Sequence, residues 1–252
     1  MNITQTFYDD LASQYDKLFL DWQAATQEQA ELLDGLFAQF GFDRRAKLLD
    51  CSCGIGTQAV GLAHLGYNVT ASDISEAELV EAKNRAEKNG VKIVFEKADF
   101  RALEEAFSHQ FDIVISMDNA LPHMLTQQDL EAAVKSIVGR VAARGIFVAS
   151  IRDYDDLLDK KPPYSPPYIH STDKGQRVSF QTWHWEGNHY KLIQYIIDDE
   201  DSLGVSRFEC EYRAFPRAEL TRLLEENGCT VQWKMPDQTG FYQPIVVAKK
   251  TK

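Results

Sequence analysis

Lys47-Leu-Leu-Asp-Cys-Ser-Cys-Gly-Ile-Gly-Thr-Gln58 is the stretch on which the fold turns. Its first half, Lys47 to Cys51, is a short apolar run ending in a carboxylate, the pattern of a buried parallel strand. In its second half, Gly54 and Gly56 allow a sharp bend and the close approach of a ligand to the backbone. Ala59, Val60, Leu62, Ala63 and Leu65 then recur at helical spacing, with Gly66 placed as the stop. Strand, glycine turn and helix make half of a nucleotide-binding unit. A lone Gly-x-Gly also occurs in surface turns, so the next strand has to decide between the two readings.

That strand is Tyr67-Asn-Val-Thr-Ala-Ser-Asp73, and it ends in a second carboxylate 23 residues beyond Asp50. In doubly wound folds an acid about 20 residues past the glycine turn accepts hydrogen bonds from ribose hydroxyls. Ser75 reads as the N-cap of the following helix, with Glu78 at the capping-box position and Asn89-Gly90 as its end. A third strand is expected over Val91 to Asp99 and a fourth over Phe111 to Met117. One Asp at a strand end is equally a helix cap, but Asp50, Asp73 and Asp99 beside a glycine turn read as the lining of one crevice.

Upstream, Phe7-Tyr-Asp-Asp-Leu-Ala-Ser-Gln-Tyr-Asp16 spaces its aromatic residues to face inward, as a helical lid would. Ala30, Leu33, Leu36, Phe37 and Phe40 predict a helix from Thr26 to Phe40, closed by Gly41. Downstream, Ala132 to Val141 is helical in pattern and Ile146 to Ile151 is a fifth buried strand. The alternation predicts an α/β fold with a mainly parallel sheet.

Lys160-Lys-Pro-Pro-Tyr-Ser-Pro-Pro-Tyr168 interrupts this regime, because four prolines remove donors and fix φ. Arg177 to Trp185, Tyr190 to Ile197 and Ser206 to Phe215 then alternate with period two around the turn Glu186-Gly-Asn-His189, which predicts an antiparallel insertion of about three strands. A helix over Ala218 to Asn227, capped by Gly228, precedes a closing hairpin of Cys229 to Lys234 and Pro244 to Lys249, making seven strands in the main sheet. The expected division is a main domain over 1–160 and 214–252, with the insertion at 161–213 covering the acceptor side.

The chain has 252 residues, 44% of them hydrophobic and 26% charged, enough for a substantial core and ordinary for a globular protein. A formal charge of −11 disfavours a grip on nucleic acid, which needs clustered Lys and Arg. No stretch approaches the roughly 20 apolar residues of a membrane span, and Met1 to Asp10 lacks a signal-peptide pattern, so a cytoplasmic protein is expected. Cys51, Cys53, Cys210 and Cys229 match neither a disulfide framework nor a zinc pattern; buried free thiols and no metal are the expectation. Trp183, Trp185 and Tyr190 form an aromatic cluster suited to a subunit interface of a homo-oligomer or a substrate roof, and alternating packing is preferred for the two tryptophans.

Asp50-Cys-Ser-Cys-Gly-Ile-Gly56, Asp73, and Asp99 with Phe100 resemble the motifs of the class I S-adenosylmethionine-dependent methyltransferases. Within that family Met117-Asp-Asn-Ala-Leu-Pro-His123 and Ile151-Arg-Asp-Tyr-Asp-Asp-Leu-Leu158 are similar to stretches of glycine and sarcosine N-methyltransferases. The resemblance implies a Rossmann-like, doubly wound seven-stranded sheet with an antiparallel β insertion. It implies S-adenosylmethionine as methyl donor, S-adenosylhomocysteine as product, and a small carboxylate-bearing amine as acceptor.

Carried onto this chain, it implies that Ser52, Gly54 and Gly56 hold the methionine part by backbone contact and Tyr15 covers it. Asp73 takes the ribose, Asp99 the adenine amino group and Phe100 the adenine face, while Asp50, Thr57, Gln58, Ile74 and Met117 complete the cofactor set. Asn119 and Arg152 bind the acceptor, with Tyr195 and Tyr212 facing it from the insertion, and Asp118 and His123 are the groups nearest the chemistry. Asp118 stands where the family has glycine, an extra carboxylate that favours a larger or more basic amine. An O-methyltransferase, a nicotinamide-dependent oxidoreductase and a non-catalytic S-adenosylmethionine-binding regulator are the competing readings. The oxidoreductase needs Gly-x-Gly-x-x-Gly, and position 59 is Ala59, which the last position of that pattern allows.

Overall fold

A computed structural model describes residues 3–172, 174–200 and 202–251. Strands β1 (Lys47–Asp50), β2 (Asn68–Asp73), β3 (Val94–Lys97), β4 (Phe111–Ser116) and β5 (Val141–Ser150) are followed by β6 (Tyr168–Thr172), β7 (Gly175–Glu186), β8 (His189–Asp198) and β9 (Gly204–Arg213). Strands β10 (Cys229–Lys234) and β11 (Ile245–Lys250) close the chain. The main sheet has seven strands in the order β10-β11-β5-β4-β1-β2-β3. Within it β11 runs antiparallel to both β5 and β10, while the other pairings are parallel.

This is the expected Rossmann-like sheet with an antiparallel insertion, and its order explains where a ligand binds. The chain runs outward from β1 through β2 to β3, then returns to place β4 on the other side of β1. Between β1 and β4 the connections leave in opposite directions, so a crevice opens beyond the two strand ends. Ser52 Oγ and Ser116 Oγ, 2.9 Å apart, tie those ends together. Alternating strand residues fill a core on each face: Leu49, Val114 and Phe147 on one, Leu48, Ile113 and Val148 on the other.

Helices α1 (Ile3–Leu11), α2 (Trp22–Gln39), α3 (Thr57–His64) and α4 (Glu76–Lys88) surround the cradle. The lid forms as expected: α1 buries Phe7 and Leu11, and a 3-10 turn over Ala12–Leu18 continues it. Lys17 pairs with Asp198 at 2.6 Å and Ser206 bonds Gln14 at 2.8 Å, so the lid is fastened to the insertion. Helix α2 starts at Trp22, earlier than the apolar periodicity predicts, because Asp21 caps it by accepting from the Ala24 N–H at 3.0 Å.

Three elements differ from expectation. The third strand is only Val94–Lys97, at the sheet edge. The fifth begins at Val141, and the shift in its register against β4 between Phe111 and Ile113 absorbs the Ala-Ala-Arg-Gly run of residues 142–145. The insertion has four strands, not three, in the order β6-β7-β8-β9. Strand β6 and the proline-rich segment lie along β7, and the prolines' missing donors are replaced where Ser165 N–H donates to Gln181 O and Pro163 O accepts from Trp183 N–H. The four cysteines are free and buried. Among the described residues no helix is long and apolar enough to cross a membrane.

Candidate functional site

The turn after β1 is shaped by two left-handed glycines, Gly54 at φ 52° and Gly56 at φ 91°. Gly54 N–H donates to Asp73 Oδ2 at 2.9 Å, which draws the turn onto the end of β2. A Cβ at Gly54 would stand 2.7 Å from Glu78 Oε2, so a side chain there is strained by the backbone and has to displace the Glu78 carboxyl. Gly56 caps α3, and its α-carbon faces Val60 and Ala82, not the crevice.

A cavity of about 480 Å³ opens above this turn, within the range of small-molecule sites. Tyr15, Ser52, Gly54, Thr57, Gln58, Asp73, Ile74, Asp99, Phe100 and Met117 line it, as do Tyr8, Glu78, Asp118 and His123. Two expected contacts are absent from this lining, Gly56 and Asp50. Asp50 is fully buried beneath the turn, where Oδ1 accepts from Ser52 N–H at 3.3 Å and burial pushes its carboxyl well above the usual range.

Asp73 accepts from Gly54 N–H and from Ser75 N–H at 3.0 Å, and each oxygen keeps a lone pair for a hydroxyl. Burial raises its pKa, while these backbone donors pull it back. Asp99 is held by its own neighbour: Arg101 chelates both carboxylate oxygens, with Nε at 3.1 and 3.0 Å, and reaches Asp129 at 2.7 Å. Asp99 is thereby fixed at the edge of the cavity beside the Phe100 ring. Apolar walls, an aromatic face, buried carboxyl oxygens and turn backbone thus fit an adenosyl group, with the unpartnered Glu78 Oε1 inside the cavity as a group still lacking a hydrogen bond.

Beyond β4 two consecutive non-glycine residues are left-handed, Asp118 at φ 56° and Asn119 at φ 68°. Ser150, ending β5, holds both, since its Oγ accepts from Asp118 N–H at 2.8 Å and its carbonyl from Asn119 N–H at 3.0 Å. Such strain persists only where surroundings over-determine it, commonly at a site. Asp118 borders two cavities, the first and a second of about 720 Å³. Its oxygens accept from Gln58 Nε2 at 2.8 Å and from the Tyr242 hydroxyl, and burial raises its pKa against those two bonds.

Asn119 and Arg152 both line the second cavity. Asn119 is buried; its Oδ1 accepts from Arg152 N–H and Tyr154 OH, both at 3.0 Å, while its Nδ2 has no partner. The Arg152 guanidinium donates to Tyr190 OH at 2.7 Å and Gln181 Oε1 at 3.0 Å. It lies 4.8 Å from the Trp183 ring centroid and 5.4 Å from that of Tyr212. Among the described residues no carboxylate pairs with it. A guanidinium among ring faces and neutral acceptors, with no counter-charge, is chemically suited to pair with an anion.

Tyr212 lines this cavity and stacks on Tyr190 at 5.3 Å. Tyr195 does not reach it. Strand β8 alternates, so Tyr190 and Tyr195, an odd number of residues apart, point to opposite faces, and Tyr195 stacks on Phe180 instead. His123 is buried with Nε2 2.8 Å from Tyr8 OH, and burial pulls its pKa down to about 3. It is a neutral ring that anchors the lid and is too weakly basic for proton transfer from an amine.

The sequence does not single out Tyr8, Glu78, Gln181 or Tyr242 as site residues; it offers Tyr190 only within an aromatic cluster suited to a substrate roof or a subunit interface, and Trp183 and Tyr154 as packing or motif positions. Trp183 does pack in the core, and it also gives its face to Arg152. Tyr190 was accessible from parity, because it pairs directly with Tyr212 across β8 and β9. Tyr242 carries no such signal: it sits in the turn before β11, 60% exposed, and only its hydroxyl enters the site.

The family described as "Methyltransferase domain" matches residues 48–145. Glycine N-methyltransferase of Oryctolagus cuniculus is 30% identical over 240 residues, covering 86% of this chain and 80% of that protein. Glycine/sarcosine N-methyltransferase of Parasynechococcus marenigrum is 26% identical over 155 residues, 62% of this chain and 54% of that relative's length. Among solved structures, an amino pentose methyltransferase from Micromonospora echinaspora with S-adenosylmethionine bound superposes with a TM-score of 0.73 at 17% identity, over 90% of this chain and 92% of that one. The sheet order, the cradle and the shared sequence over most of a relative's length agree: this chain belongs to the class I S-adenosylmethionine-dependent methyltransferases.

Proposed function

We propose that the protein transfers a methyl group from S-adenosylmethionine to the amine of a small carboxylate-bearing molecule. The observation that carries this reading is Arg152, a guanidinium in an aromatic enclosure without an acidic partner, beside the unpartnered Asn119 Nδ2. A carboxylate docked there meets a planar fork and an amide donor. The similarity to glycine and glycine/sarcosine N-methyltransferases supports the same acceptor chemistry.

S-adenosylmethionine, when bound, supplies an electrophilic methyl group on a sulfonium. The chain's own residues contribute alignment, which in favourable cases is worth about 7 to 11 kcal/mol. Arg152 and Asn119 hold the acceptor's carboxylate, so that its amine projects toward the junction of the cavities. Asp118 stands at that junction, its oxygens fixed by Gln58 and Tyr242. Its carboxyl oxygens orient the amine by hydrogen bonding, and enclosure beneath Tyr15 and Tyr8 favours the neutral, nucleophilic form.

The acceptor cavity, about 720 Å³, favours a second acceptor class. It exceeds what a two-carbon amino acid fills, and a related fold acts on an amino pentose. A screen of amino acids, amines and amino sugars, with products identified by mass, tests both. Methylation at nitrogen of carboxylate-bearing amines supports the leading reading; products at hydroxyl oxygen reassign the protein as an O-methyltransferase. Tight cofactor binding with no turnover across the panel would make it a regulator, and failure to bind S-adenosylmethionine or S-adenosylhomocysteine would remove the reading altogether.

A further inference from the structure

Glu78 sits three residues after the N-cap Ser75, where a capping box would turn its carboxyl back to the Ser75 N–H. That N–H is already given to Asp73 Oδ1 at 3.0 Å. Ser75 Oγ in turn accepts from Glu78 N–H at 3.1 Å and donates to Asp9 Oδ1 at 2.6 Å. The Glu78 side chain is therefore released from the cap, and it turns into the cradle cavity. It is 1% exposed, Oε1 has no partner, and Oε2 lies against the Gly54 α-carbon.

Gly54 thus stands between two carboxyl groups. Asp73 takes its N–H, and Glu78 occupies the space where its side chain would be. A buried carboxyl with no donor is costly, and it persists where a ligand uses it. We infer that Glu78 is a second ligand for the ribose hydroxyls of the nucleoside held in the cradle, beside Asp73. The inference rests on the S-adenosylmethionine reading of that cradle.

The two acids divide the work. Asp73 has two backbone donors and carries the charge. Burial, then the nearby Asp73 and Asp9, push the Glu78 carboxyl well above its ordinary range, toward the protonated form. An uncharged carboxylic acid both donates and accepts. A carboxylate next to it completes a set that matches a vicinal diol, with one hydroxyl donating to Asp73 and the other exchanging a hydrogen bond with Glu78. Tyr8, Tyr15 and Cys53 are the other titratable groups interacting with Glu78, and burial raises each of them, leaving them neutral around it.

Titration calorimetry of the full chain with S-adenosylhomocysteine and with its 2′-deoxy and 3′-deoxy analogues tests this. Glu78→Met is expected to weaken the diol ligand about ten- to a hundredfold, while one deoxy analogue binds variant and wild type within about threefold. Glu78→Gln, which keeps a neutral donor and acceptor, stays within about tenfold of wild type. Unchanged binding by Glu78→Met, or an equal loss for all three ligands, overturns the assignment. If Glu78→Met does not fold, the pH profile decides: wild-type affinity falls as pH rises and Glu78 ionises beside Asp73, and Glu78→Gln removes that fall. Equal falls in both proteins overturn the assignment as well. Wild type failing to bind S-adenosylhomocysteine would instead sink the cradle reading on which it rests.

Discussion

Replacing Arg152 by methionine keeps an unbranched side chain against Trp183 and removes the guanidinium. Two of the five guanidinium N–H donors are committed, to Tyr190 and Gln181, which leaves three and the whole positive charge for an acceptor's carboxylate. Truncating one partner of such an enclosed charge pair costs about 2 to 5 kcal/mol, or about thirty- to a few-thousandfold in the Michaelis constant of a carboxylate-bearing acceptor. Arg152 lines the second cavity and not the cradle, so the cofactor's Michaelis constant should move by less than about threefold. The assay is initial-rate kinetics with the best acceptor from the screen and with its methyl ester, which keeps the amine but loses the charge. Wild type should prefer the acid and Arg152→Met should lose that preference. Arg152→Lys, with charge but no planar fork, should recover only part of it. Equal losses for acid and ester would refute carboxylate recognition by Arg152, and an equal rise for the cofactor would make its role structural.

Three further outcomes are expected. Asn119→Asp keeps the oxygen that Arg152 and Tyr154 bond but turns the unpartnered Nδ2 donor into a charged acceptor, so the carboxylate acceptor's Michaelis constant should rise at least about tenfold while S-adenosylhomocysteine affinity holds; an unchanged Michaelis constant counts against the site. Gly54→Ala forces φ 52° on an L-residue and a contact with Glu78, so melting should fall by about 2 to 8 °C and calorimetry should show S-adenosylhomocysteine binding lost or strongly weakened. His123 is held neutral by burial, with its pKa lowered from 6.5 to about 3, so its contribution to stability is complete above about pH 6.5 and lost as pH falls toward about 3. Urea unfolding at about pH 6.5 and about pH 5 should therefore show a drop about 2 kcal/mol larger for wild type than for His123→Asn, and parallel drops would contradict the burial argument.

The main sheet is legible in the sequence because strands buried on both faces leave short apolar runs, and because Gly54, Asp73 and Asp99 mark strand ends by residue type. Those local signals mark the glycine turn and the strand-end acids of the cradle, while its remaining residues follow from the family resemblance. The acceptor side was read less well, since its residues come from separate elements whose register no local pattern states. Tyr195 and Tyr190 are both tyrosines on one strand, and only the pairing of β8 with β9 tells which faces Arg152. Glu78 was misassigned for a different reason: its capping position is real, but Asp73 outcompetes it for the Ser75 N–H. Tyr242 depends on the path of a loop, which apolar periodicity does not encode.

Ser150 grips Asp118 through its side chain and Asn119 through its carbonyl. One residue at the end of β5 therefore spaces the carboxylate that borders both cavities from the amide that lines the second. That interval is set by Ser150 at the end of β5, through its hydroxyl and its carbonyl, and the four-stranded insertion takes no part in it. The molecule behaves as a fixed gauge with an exchangeable jaw. On the proposed function, substitutions on the inner face of the insertion at positions such as Gln181 or Trp183 are expected to change which acceptor is gripped, while the Asp118–Asn119 interval stays as the sheet set it.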